Sequence, residues 1–206
     1  MRKKVLLLLL ILVCSIPFTL GARNLFNVSL GFGAAYYPDE EGFFGPSIQD
    51  ADNWRFHGEL SARFWILQAN ALVFPVQCDN GGQGVLMVGM GTLSLPVIGS
   101  FFSLELGAGV GATYIPASSD APASYYVLAD GQQAAANEIP FGDALWRSPI
   151  YLHAGLASEL GPIGLRLRYL SASKASLHTV FGENAWWDIF NTESGALSLV
   201  LSLRMF

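Results

Sequence analysis

From Phe26 onward the chain alternates apolar residues with polar or small ones at a period of two. Phe26, Val28, Leu30, Phe32, Ala34 and Tyr36 interleave with Asn27, Ser29, Gly31, Gly33 and Ala35. The same rhythm runs from Trp54 to Ile66, Phe102 to Tyr114, Ile150 to Glu159, Leu165 to Tyr169 and Leu197 to Met205. A period of two puts successive side chains on opposite faces of a strand, so each stretch predicts a β-strand with one apolar face. Two weaker stretches, about 71–77 and 84–95, complete a set of eight, and the pattern does not fix which way their faces point. Pro75 cannot donate a ladder hydrogen bond, which predicts a short or irregular strand there. Gly84 to Leu104 is apolar enough to suggest a helix, but Pro96 and four glycines argue against one.

Several strands are ten to fourteen residues long, beyond the usual five or six. A strand that crosses a bilayer at a tilt needs about nine to eleven residues. The connections alternate in length. Residues 38–53, 116–148 and 175–194 are long and 78–83 is intermediate, whereas 68–70, 96–100 and 161–164 read as tight turns. Long loops at one end and short turns at the other are the pattern of a transmembrane β-barrel.

The N-terminus is of another kind. Met1-Arg2-Lys3-Lys4 precedes the apolar run Val5–Cys14, and small residues follow at Gly21-Ala22. This is the layout of a secretory signal peptide, with cleavage expected after Ala22. The expected domains are therefore a signal peptide over 1–22 and a barrel over 23–206. Removing the signal would take away Cys14 and leave Cys78 alone, so no intramolecular disulfide is expected.

Composition fits this picture. The 206 residues are 52% hydrophobic and only 13% charged, with a net charge of −5, and the mean hydropathy is +0.41. That excludes a disordered chain. It also argues against nucleic acid as a partner, because no basic cluster lies outside the first four residues. Most acids fall in the long connections. The polar strand faces carry Glu59, Glu105 and Glu159, the bases Arg55, Arg63, Arg166, Arg168 and Arg204, and also His57 and His153. Inside a narrow barrel such groups must pair to offset desolvation, so these ten residues form the expected lumenal polar network. A four-residue turn at 161–164 would set Glu159 opposite Arg166.

The pattern resembles the small eight-stranded outer-membrane barrels: the OmpA membrane domain, OmpX and the OmpW family. The resemblance implies an antiparallel up-and-down barrel in the cell outer membrane, with long extracellular loops, short periplasmic turns and a lipid-facing wall. The C-terminal Phe206 is similar to the aromatic that barrel-assembly machinery recognises, although it stands on the opposite parity to Leu197–Met205. The OmpW-like reading implies a narrow channel or binding site for small apolar molecules. An alternative is a surface adhesin or structural protein acting through acidic loops on host surface molecules. A second alternative is a lipid A-modifying esterase, because Arg168-Tyr169 followed by Ser171 and Ser173 is loosely similar to the active strand of the deacylases. A serine would stand where their histidine belongs, and His178 is seven residues away. The chain is therefore expected not to be an enzyme. No cofactor is expected, and no metal either, because His57 and Glu59 on one face are too few ligands. Gly107, Gly109 and Gly111 have the wrong spacing for a dinucleotide loop and are expected to make room in a crowded interior. Trp146, Trp186-Trp187 and Phe43-Phe44 are expected to anchor at the membrane interface.

Overall fold

A computed structural model describes residues 26–38, 46–77, 83–98, 101–116, 124–126, 128–129, 132–133 and 139–205. The expected signal peptide, both cysteines, Phe43-Phe44 and Phe206 lie outside the described residues. The barrel strands are β1 (Phe26–Tyr36), β2 (Trp54–Phe64), β3 (Leu67–Gln77), β4 (Gln83–Ile98), β5 (Phe102–Ile115), β6 (Pro149–Leu160), β7 (Ile163–Ser176) and β8 (Thr192–Arg204). Each pairs antiparallel with its neighbours in the chain, β8 pairs with β1, and the sheet closes on itself. The fold is thus a closed eight-stranded antiparallel up-and-down barrel, as the alternation predicts. The apolar Gly84–Leu104 stretch belongs to β4 and β5, not to a helix.

The wall is sided as the period of two requires. Leu30, Phe32, Phe64, Leu67, Leu165, Leu201 and Leu203 stand exposed on the outside, while Ser29, Ser61, Arg63, Arg166 and Ser202 are buried within. At the loop end the outer wall is partly covered. Helix α1 (Phe141–Arg147) packs Ala144 and Leu145 on Ala112 of β5. Helix α2 (Leu177–Gly182) packs Val180 against Ile150 and Ala175. Its start is fixed by a capping box between Ser176 and Thr179. Trp146, Phe181 and Trp186 form a cluster between these elements, with ring centroids 6.0 and 5.3 Å apart. All three are exposed, as interfacial anchors are.

Several boundaries differ from the sequence reading, among them the turn expected at 96–100, where β4 continues to Ile98 and Pro96 still pairs with Ser103. The second turn is Trp65-Ile66, not 68–70, and β3 starts at Leu67 rather than 71. Trp65 takes a positive φ of 58°, a conformation that propensity does not predict for tryptophan. The turn after β6 has two residues, Gly161-Pro162, with Gly161 at φ +62°. This sets Leu160 opposite Ile163, so Glu159 faces Gly164 rather than Arg166. The register moves by two, which keeps every residue on its expected face but changes its partner. Finally, β7 extends from 163 to 176, well past Tyr169.

Candidate functional site

The interior has three tiers. At the turn end, Arg63 and Glu159 form an ion pair, with Nη2 donating to Oε2 at 2.8 Å. The Asn27 side-chain oxygen accepts from Arg63 at 2.7 Å once its amide is oriented to do so.

The middle tier holds four fully buried charges. Arg168 donates to Glu59 through both terminal nitrogens, at 2.9 and 3.1 Å. Arg166 donates to the same carboxylate at 2.7 Å and also to Ser61 and Ser29. Glu105 stands 3.5 Å from Arg168 and 3.7 Å from Arg166. Two carboxylates thus face two guanidiniums, and the cluster is neutral. The bidentate bond makes Glu59 its hub.

Two histidines sit above the cluster. The His57 ring shares a 2.8 Å hydrogen bond with Ser198. His153 ends a chain in which Gln68 donates to Asn70, Asn70 to Thr92, and Thr92 meets His153 Nε2 at 2.8 Å. Glycines make space for both rings. A Cβ on Gly33 would lie 2.8 Å from His57 Nε2, and one on Gly107 would collide with His153 and the Gly91 carbonyl. This is the room-making role expected of the Gly107 region. His57 and Glu59, the two candidate ligands on one face, are each engaged by other partners, His57 by Ser198 and Glu59 by the two arginines.

The third tier, at the loop end, is apolar. Leu72, Phe74, Val88, Met90, Leu170 and Ala196 point inward and form one cluster with Ala35. A small cleft of about 50 Å³, widening to about 410 Å³ with its open mouth, lies among Leu72, Phe74, Leu86, Val88, Ala196 and the rings of Tyr37 and Tyr151. The Tyr37 ring carries the Arg55 guanidinium at 4.7 Å. Burial raises the Tyr37 phenol above its ordinary value, against the opposing pull of Arg55, so the phenol at the rim stays neutral beside the Arg55 charge.

Nine of the ten expected network residues are therefore brought together in the lumen or at its turn end: His57, Glu59, Arg63, Glu105, His153, Glu159, Arg166, Arg168 and Arg204. Arg55 is not among them. It is exposed at the loop end, because the interior there is apolar and offers it no carboxylate. Arg204 lies half-buried in a recess at the turn end. Gln68, Asn70 and Thr92 belong to the network and were missed, although Leu67, Ala69, Ala71 and Val73 around them carry the signal. The residues behind the esterase alternative lie apart. Ser173 donates to the Asp188 carbonyl, while His178 is exposed beside Glu183 at 4.0 Å.

No protein-family model matches the chain, and no curated protein matches it either. Among solved structures it is similar to Neisserial surface protein A (NspA), with 14% identity, a TM-score of 0.41, and coverage of 86% of this chain and 96% of that one. It is also similar to Ail, the attachment invasion locus protein of Yersinia pestis, solved in complex with the heparin analogue sucrose octasulfate. There the identity is 13% and the TM-score 0.41, covering 87% of this chain and 97% of that one. These likenesses concern the barrel fold alone and transfer no residue or ligand.

Proposed function

We propose that the chain is an integral outer-membrane barrel that binds a small apolar molecule in its loop-end cleft, without catalysis and without a through-going pore. The observation that carries this reading is the apolar cleft directly above a neutral, buried ion cluster. The cleft gives an apolar guest a water-poor site with a mouth at the loop end. The cluster beneath it fills the rest of a lumen that eight strands leave only wide enough for side chains. The exposed apolar outer wall supports the membrane location.

The test uses the refolded barrel in detergent and the fluorescent apolar probe N-phenyl-1-naphthylamine. Saturable binding is expected, and Ala196→Trp, which fills the cleft, should abolish it while the heat-modifiable barrel persists. Non-saturable partitioning, or binding indifferent to Ala196→Trp, contradicts the reading.

A further inference from the structure

Parity and register place Arg55 over the loop-end mouth of the lumen. On β2 it continues the inward series of Glu59 and His57. It pairs with Ala35 of β1, which is buried in the apolar cluster of the third tier. The backbone therefore aims Arg55 at the cleft, yet no carboxylate meets it there. Among the described residues none forms an ion pair with it. Asp50, in the turn before β2, accepts from the Asp52 amide instead. Arg55 rests on the face of Tyr37, 4.7 Å from the ring centroid. Such a contact holds a guanidinium in place and leaves its N–H groups open.

The ring that holds Arg55 is itself part of the cleft. Tyr37 and Tyr151 line it together, around an apolar base of Leu72, Phe74 and Val88. Tyr37 is fixed by its backbone, whose N–H donates to the Asn53 carbonyl at 2.8 Å. Among the described residues neither phenol hydroxyl bonds to protein, and neither is sealed from solvent. Both are therefore open to a guest. A wholly apolar guest would cover these donors and give them nothing in return, which is costly. A carboxylate would satisfy them. It has about four acceptor sites, and its bonds to such donors are charge-assisted. Two neutral O–H donors and one permanent cation thus stand at the mouth of one apolar hollow.

Resting on the ligand reading given above, we propose that the guest is an amphiphile with an acidic head, a carboxylate in chemical class. Its tail enters the cleft, and its head accepts from Arg55, Tyr37 and Tyr151 at the mouth.

The test uses the barrel in phosphatidylcholine nanodiscs, whose lipid adds no net charge, with N-phenyl-1-naphthylamine as the displaced probe. Hexanoate, hexanol and hexylammonium compete at neutral pH, where the first is ionised and the last protonated. Free aqueous concentrations are compared. Hexanoate should displace the probe at a concentration about tenfold lower than hexanol, as charge-assisted donors require, and hexylammonium should be the weakest. Arg55→Gln should erase most of that preference, and so should Tyr37→Phe combined with Tyr151→Phe. The readout is the ratio of hexanoate to hexanol, which a general loosening of the cleft does not move. Equal potency of the two on the unmodified barrel, or a preference that survives either set of substitutions, would overturn the head-group site and leave the cleft reading standing. An unmodified barrel that binds no probe saturably would overturn both.

Discussion

Glu59 and Glu105 are both fully buried carboxylates between the same two arginines, yet they are not equivalent. Glu59 accepts three hydrogen bonds from Arg166 and Arg168. Glu105 contacts those arginines only at ion-pair distance. Glu59→Ala should therefore cost about 3–5 kcal/mol, the usual penalty for stranding buried charge. Glu105→Ala should cost less, about 1–3 kcal/mol. Urea unfolding followed by heat modifiability checks the order, and equal losses would mean the two carboxylates share the load. The glycines make a second contrast. Gly107→Ala drives a methyl into His153 and the Gly91 carbonyl, whereas Gly58→Ala meets nothing within 4 Å. The first should lose about 1–3 kcal/mol as an overpacked site does, and the second should change stability little. The same unfolding measurement decides, and a Gly107→Ala barrel as stable as the parent would contradict the tight fit.

At the scale of the strands, pairing between β2 and β3 stops at Gly58↔Val73 and leaves an open seam toward the loops, which predicts an uneven pattern of amide exchange. Amides of Gly58–Phe64 should be protected. Those of Trp54–His57 and Phe74–Gln77 that point into the seam should exchange much faster, and uniform protection along β2 would mean that the wall is closed. The strands also show what the sequence discloses and what it hides. Where one face is large and apolar and the other polar or small, as in β1 and β2, alternation gives both the strand and its inward face. Strand β3 defeats it, because its inward residues change from Gln68 and Asn70 to Leu72, Phe74 and Val76, and above Asn70 both faces are apolar. Strand β4 does the same in reverse, from Val88 and Met90 to Thr92 and Ser94. The apolar tier, and with it the cleft, was hidden for that reason. Partners were less legible than faces. Parity puts Glu159 inside, but only the two-residue turn decides that it meets Arg63 and not Arg166.

For the whole molecule, the three tiers stack into a barrel that is filled at the turn end and middle and hollow only near the loops. Its charged interior balances, with Glu59, Glu105 and Glu159 against Arg63, Arg166 and Arg168. Arg204 stands outside this balance, half-buried at the turn end beside Glu159, and among the described residues the middle tier of Glu59, Glu105, Arg166 and Arg168 carries no net charge to draw water or ions along the axis. Below the apolar cleft the His57 ring packs on Phe74 of its lining, with ring centroids 4.7 Å apart. Planar-bilayer recording of the refolded barrel tests this directly. The filled lumen predicts no steady conductance in the unmodified protein at moderate voltage, and a stable ohmic current through single barrels would contradict it.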